Sequence, residues 1–305
     1  MGHKSPDFDS IGSCIAMKRI LQKFDIPSDI FVEKPLSDNF LPLVQDIQFF
    51  TQKSKDYDLC IVVDCSDISS ALIPPNQQSV LAGAEYIIKI DHHISGKDCN
   101  FGAINYVDYN ASSACEVIYY LFRNLVEFDA QIASALFMGI YTDTGGFKYS
   151  NTTPKTFSAL AKLSTFDFSR DKLIYQCLSI ISKSSFLLTQ IAFASIKFYQ
   201  NNQIAVSTIR YKDFVDNDCA LESCKFMPSY LPNIDGVKIS ISITEKVKNE
   251  YNISLRTAID GVDVSSIATR FNGGGHIRAS GLTLRGDYDK ALNALLLECK
   301  KELNR

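Results

Sequence analysis

Three residues able to ligate a metal stand close together at the start of the chain: His3, Asp7 and Asp9, in "GHKSPDFDSIGS". Similar side chains recur further on. Asp64 and Asp67 lie in "VVDCSD", Asp91, His92 and His93 in "KIDHH", and Asp143 in "YTDTGGF". The chain has 4 histidines; three accompany these acids, and the fourth, His276, follows Gly273, Gly274 and Gly275. Histidines scattered over a surface would not fall in this way. Imidazole mixed with carboxylate is the ligand set of Mn²⁺, Fe²⁺ or Zn²⁺. Two such ions roughly 3.5–4 Å apart can activate a water and clamp the oxygens of an in-line phosphoryl displacement. The same acids packed without a cation would repel one another and raise each other's pKa values. Taken singly, "PDFD" reads as a turn with a helix cap, "DHH" as a strand-end loop and Asp143 as an Asx-turn. Their joint occurrence at strand ends favours a site.

The elements that must position these residues alternate in type. Apolar Ile11, Ile15, Ile20 and Leu21 predict a helix over 10–24, capped by Asp9 or Ser10. "YDLCIVVDCSD" (57–67) and "AEYIIKIDHH" (84–93) are short apolar runs ending in acids, as buried parallel strands do. Helices are predicted over 112–122 and 131–140, the latter delivering Asp143. This order argues for an α/β first domain, a parallel sheet flanked by helices, with ligands bound at the carboxyl ends of its strands. A long apolar helical stretch follows (173–198), then strand-like segments at 203–211, 236–246 and 250–259, and a terminal helix. The expected organisation is therefore 1–172, a helical linker over 173–198, and a smaller α+β domain over 199–305.

The 305-residue chain carries 31 basic and 34 acidic residues, a net charge of −3. No basic surplus is left to neutralise many phosphates, which counts against long nucleic acid as a partner. A short nucleotide remains compatible. The 9 cysteines (Cys14, Cys60, Cys65, Cys99, Cys115, Cys177, Cys219, Cys224 and Cys299) include no C-x-x-C pair, so reduced, mostly buried thiols in a cytoplasmic protein are expected. The longest apolar stretches fall short of the roughly 18 residues of a membrane span, and no membrane association is expected.

Together, "GHKSPDFDSIGS", "VVDCSD", "DHH", "YTDTGGF" and "RFNGGGHIRASG" resemble the DHH phosphoesterase superfamily with its DHH-associated C-terminal domain. The resemblance covers essentially the whole chain and is nearest to the nano-RNases, the oligoribonuclease and pAp-phosphatase group. It implies a hydrolase with two divalent ions, manganese the expected metal, acting on short RNA or pAp. The second domain would stand across a cleft from the first, and a homodimer is compatible. It further implies that His3, Asp7 and Asp64 hold one ion, and that Asp9, Asp64, His92 and Asp143 hold the other, with Asp64 bridging. His93 would face the substrate phosphate and assist the leaving oxygen, while Asp91 orients the histidine loop.

In the second domain, the glycines allow backbone to approach a ligand closely, and N–H groups beside His276 would hold an anion. The resemblance assigns Gly273, Gly274, Gly275, His276 and Arg256 to substrate binding. Arg278 and Ser280 read as surface and packing residues. A cyclic or linear dinucleotide phosphodiesterase is the nearest alternative. A single-strand exonuclease and an inactive nucleotide-binding protein stand further off. The resemblance also implies a strand ahead of His3, of which Met1 and Gly2 form only a stub, so the first ion is expected to be held less tightly.

Overall fold

The structure, a computed structural model, describes residues 1–304 except 35, 54, 69–72, 94–99 and 220–226. The chain forms two compact units, Met1–Ile180 and Ile181–Arg305.

The first unit runs α1 (Phe8–Lys23), β1 (Ile30–Phe31), α2 (Leu41–Val44), β2 (Phe49–Phe50), β3 (Leu59–Val63), α3 (Pro75–Gly83), β4 (Tyr86–Asp91), β5 (Ile104–Val107), α4 (Ala114–Phe122), α5 (Ala130–Asp143), α6 (Pro154–Leu163) and α7 (Arg170–Ile174). Strands β3, β4 and β5 form a parallel sheet in that order, and β1 pairs with β2, also in parallel. The sheet is covered on both faces, which is why its strands read as continuous apolar runs. Ile61, Val63, Ile88 and Ile90 pack with α1, α4 and α5, whereas Cys60, Val62 and Ile87 pack with Val80 and Leu81 of α3.

The α/β reading of the first half holds, with shorter strands than expected. β3 stops at Val63 because Asp64 takes a left-handed φ of 51° and turns the chain away. Helix α1 starts two residues early, and its cap is Asp7, not Asp9 or Ser10. Asp7 Oδ1 accepts from the amides of Asp9 and Ser10. Met1 lies along β3 as a stub: its terminal ammonium donates to the Ile61 carbonyl (2.7 Å), and Val63 N–H donates to the Met1 carbonyl (2.9 Å).

The stretch 173–198 is not one helix. After α7 comes a π-helical turn, Tyr175–Ser179. Ile180 is then extended, and Ser182 caps a new helix, α8 (Lys183–Ala194). The second unit continues with β6 (Lys197–Tyr199), β7 (Ile204–Ile209), α9 (Tyr211–Asp216), α10 (Met227–Tyr230), β8 (Ile239–Val247), β9 (Glu250–Arg256), α11 (Val264–Thr269), β10 (Gly274–His276), β11 (Ala279–Arg285) and α12 (Tyr288–Leu303). Its sheet order is β10-β11-β9-β8-β7-β6, antiparallel except for β7 with β8. Ile239, Ile241, Ile253 and Leu255 pack with Ile267 of α11 and Leu295 of α12, while Ala205 and Ile209 pack with Leu188 of α8 and Phe214 of α9.

Among the described residues no single helix is long and apolar enough to cross a membrane. The described cysteines are free thiols, buried except for half-buried Cys219; Cys99 and Cys224 lie outside the described residues.

Candidate metal centre

The first unit delivers its acids and imidazoles from five places along the chain. His3 and Asp7 precede α1, and Asp9 stands in its first turn. Asp64 follows β3, His92 and His93 follow β4, and Asp143 ends α5. Among the described residues three overlapping groups have ligand atoms close enough to share an ion: His3, Asp7 and Asp64; Asp9, His92 and Asp143; Asp64, His92 and His93. Asp67, from the same motif as Asp64, is in none of them.

Asp64 links the groups. Its Oδ2 lies 3.4 Å from His3 Nε2, and its Oδ1 lies 3.6 Å from His92 Nε2 and 3.7 Å from His93 Nδ1. His3 Nε2 is also 3.8 Å from Asp7 Oδ1, and His92 Nε2 is 3.5 Å from Asp143 Oδ2 and 3.8 Å from Asp9 Oδ2. The Nδ1 of His3 is 2.7 Å from the Lys4 carbonyl, so it carries the proton and leaves Nε2 as a ligand atom. Asp64 Oδ2 is buried and accepts no hydrogen bond. A buried carboxylate oxygen without a hydrogen bond is costly, and a divalent cation between Asp64 and His3 would satisfy it. The donor set therefore fits the metal.

Asp9 is held by backbone. Its Oδ2 accepts from the Ala114 amide (2.7 Å) and its Oδ1 from the Cys115 amide (2.9 Å), at the N-terminus of α4 where the helix dipole favours an anion. Ser113 caps that helix, and fully buried Glu116 accepts from Ser112 and Thr156 beneath it. Asn151 ties the region to Asp143 by donating to its carbonyl and to that of Ser112.

The charges are tense. Burial opposes a charged His3, but Asp64 and Asp7 outweigh it and push the imidazole up to about 11. At His92, burial is likewise overcome by Asp64, Asp9 and Asp143, and the value reaches about 9. Burial, with Asp64 and Asp143 adding repulsion, drives Asp9 well above the usual carboxylate range. Burial also raises Asp143 to about 6, with His92 opposing and Asp64 reinforcing. The imidazoles are the counterions of this cluster, a role that divalent cations would take over.

Behind the candidate ligands, Asp91 Oδ1 accepts from His93 Nδ1 (2.8 Å) and from the amides of His92 (2.8 Å) and His93 (3.3 Å). Burial would raise this acid, yet the bond from His93 and the charge of Lys89 hold it at about 2. Because Nδ1 of His93 faces Asp91, its Nε2 is the nitrogen left for another partner, on a half-exposed ring.

In the second unit the glycine run forms a hairpin: His276 pairs with Ala279, and Ala279 pairs with Arg256 on β9. Directly paired residues share a face. Arg256 and His276 therefore flank the small Ala279, two strand spacings, roughly 10 Å, apart. The Arg256 guanidinium donates to the carbonyls of Leu255 and Ser280. Ser280 is buried against the His276 carbonyl, and exposed Arg278 pairs with Asp260, as surface and packing residues should. Gly275 has a φ of 139°, and a Cβ there would meet the Ala279 carbonyl at 2.5 Å; one on Gly273 would meet the Gly281 carbonyl at 2.3 Å. A Cβ on Gly274 would meet nothing.

Sequence reasoning missed the backbone clamp on Asp9, because its donors lie more than a hundred residues away and amides carry no sequence signal. The pattern Ser113-x-x-Glu116, a capping-box spacing, was the available hint. It also passed over Lys89, a cation inside the apolar run of β4.

Residues 1–140 match the DHH family, N-terminal domain, and residues 201–303 match the DHHA1 domain. The chain is 26% identical over 305 residues to the bifunctional oligoribonuclease and PAP phosphatase NrnA of Thermus thermophilus, covering 99% of this chain and 89% of that protein. It is 28% identical over 315 residues to the protein of the same name from Bacillus subtilis, covering 98% and 93%. An exopolyphosphatase-related protein from Bacteroides fragilis has the same fold, with a TM-score of 0.85 at 23% identity over 98% of this chain and 90% of that one. With both domains matched in order along almost its whole length, the chain belongs to the DHH family and carries a DHHA1 domain.

Proposed function

We propose that this protein is a metal-dependent phosphoesterase that hydrolyses short oligoribonucleotides and pAp to mononucleotides. The observation that carries the reading is Asp64, whose two carboxylate oxygens face different imidazoles, His3 and His92, in a cluster short of positive charge. Two manganese ions are the proposed cofactors, one held by His3, Asp7 and Asp64, the other by Asp9, Asp64, His92 and Asp143. When bound, such ions supply an activated water and offset the charge that builds at phosphorus.

The remaining work falls to the chain. His93, doubly protonated and oriented by Asp91 through Nδ1–H, gives its Nε2 proton to the oxygen that leaves. Arg256, His276 and the backbone of Gly273, Gly274 and Gly275 bind a phosphate or nucleotide of the substrate. The activities for which the Thermus and Bacillus relatives are named support this substrate class. The net charge of −3 supports a short substrate over a long strand. A cytoplasmic homodimer completes the reading, the free thiols being suited to that compartment.

The test is a hydrolysis panel with Mn²⁺ and, separately, pAp, pApA, a pentaribonucleotide, cyclic di-AMP and long single-stranded DNA, with Asp64→Ala beside the wild type. Turnover of the short linear substrates, lost in the variant, is the expected result. Preference for cyclic di-AMP would move the reading to a cyclic-dinucleotide phosphodiesterase, and no turnover of any substrate would overturn it.

A further inference from the structure

Lys89 is fully buried on β4, the central strand of its sheet. Lysines are almost never fully buried unless paired, because the ammonium loses its hydration. The neighbouring residues on this face, Cys60, Val62 and Ile87, are apolar, so an apolar side chain would suit the site's packing. The charge needs a reason. Lys89 and Asp91 are two residues apart on one strand and so point to the same side. The Lys89 ammonium lies 3.1 Å from Asp91 Oδ2, donates to the Ser66 carbonyl (2.9 Å) and stands 5.1 Å from the centre of the Phe101 ring. Ser66 belongs to the loop that leaves Asp64. Asp91 offers its other oxygen to His93. A buried cation is thus joined through one carboxylate to the imidazole beside the metal centre.

We propose that Lys89 is a positioning residue: by fixing Asp91, which accepts the Nδ1 proton, it holds the doubly protonated His93 ring with its Nε2–H directed at the leaving oxygen of the substrate. The inference rests on the role given to His93 under the proposed function. Removal of Lys89 would leave Asp91 free to rotate off His93; the protonated ring would lose its aim at the leaving oxygen, and the neutral ring would sample both tautomers. Chemistry that needs a proton on the leaving oxygen would suffer, and chemistry with a good leaving group would not.

The experiment compares wild type, Lys89→Met, His93→Gln and Lys89→Met/His93→Gln on two diesters, pApA and bis-p-nitrophenyl phosphate. The former expels a sugar alkoxide and the latter a stable phenolate. Lys89→Met is expected to lose on the order of 100-fold in kcat on pApA, to stay within about threefold on the phenyl ester, and to lose nothing more when His93 is already Gln. Equal losses on both diesters, or a further loss in the double variant, would mark Lys89 as merely structural and overturn the proposal. Should the lone buried acid unfold Lys89→Met, the neutral pair Lys89→Met/Asp91→Asn keeps the test open. Its amide cannot hold the ring in one tautomer, and the same split between diesters is expected.

A second readout separates this inference from the wider functional reading. Long-range ¹H–¹⁵N spectra of the imidazoles, recorded with Mg²⁺ at a pH where His93 is neutral, should show one tautomer in wild type and a mixture in Lys89→Met. An unchanged His93 signal would overturn the proposal even with activity present. Wild type inert on both diesters would remove the functional reading and leave the spectra to decide the role of Lys89.

Discussion

The carboxylate of Asp9 occupies the space that a side chain at Gly139 would need. A Cβ on Gly139 would lie 2.8 Å from Asp9 Oδ1 and 2.3 Å from Cys115 Sγ. Nearby, a Cβ on Gly12 would lie 2.5 Å from the Ala135 carbonyl. Helices α1 and α5 therefore meet through two glycines, and this close approach brings Asp9 to the amides of α4 and within reach of His92.

Gly139→Ala should accordingly damage site and fold together. Overpacking of this kind costs about 1–3 kcal/mol, and the displaced Asp9 should lose its amide donors. Thermal melts with and without Mn²⁺ would measure both effects. Full stability and full metal content in this variant would show that Asp9 does not depend on the crossing.

Asp7 both caps α1 and faces His3, and two substitutions separate these roles. Asn caps helices about as well as Asp, so Asp7→Asn should keep metal-free stability within about 0.5 kcal/mol, while binding of the first ion weakens. Asp7→Ala should lose the cap as well, about 1 kcal/mol. Equal metal binding by wild type and Asp7→Asn, followed by calorimetry, would remove Asp7 from the ligand set.

In the second unit, Gly274 and Gly275 should behave oppositely. Gly275→Ala forces a side chain into a left-handed, crowded position and should cost about 1–3 kcal/mol. Gly274→Ala meets no atom and should leave the melting temperature unchanged, yet raise KM for short oligonucleotides several-fold. A KM identical to wild type would mean that the backbone at Gly274 does not touch substrate.

The imidazoles set a pH dependence with a defined sign. His3 and His92 are raised to about 11 and about 9 in the metal-free protein, from an ordinary 6.5. A folded-state value above the unfolded one stabilises fully below pH 6.5 and is lost as pH rises through the folded value. Metal-free stability should therefore fall from pH 6.5 to about 9, by on the order of 1–3 kcal/mol for largely buried His92. Bound ions require neutral imidazoles, so the melting-temperature gain from Mn²⁺ should widen over the same range. A gain that shrinks with rising pH would contradict the assignment of these histidines as ligands.

What the sequence disclosed divides along physical lines. "CIVVDCSD" and "IIKIDHH" announce themselves locally, because a doubly covered parallel strand is apolar throughout and its acids begin where the sheet ends. The two-residue strands β1 and β2 carry no such run, and β5, "INYV", alternates exposed and half-buried residues. The apolar content of 173–198 concealed a break, since Ser182 caps α8 by a side-chain bond that composition does not reveal. Asp7 and Asp9 were legible as ligand types but not in their separate holds: one is fixed by its own helix, the other by amides of α4. Lys89 was hidden because a single cation in an apolar strand looks like noise until its partner Asp91 is seen beside it.

The most direct test of the account is the metal content of the saturated protein. Wild type and Asp64→Ala would be loaded with Mn²⁺, passed through a desalting column and measured for metal per chain. The dinuclear assignment predicts two ions per chain in wild type and fewer than one in Asp64→Ala, because both sites share that carboxylate. One ion or none in wild type, or two in the variant, would contradict it.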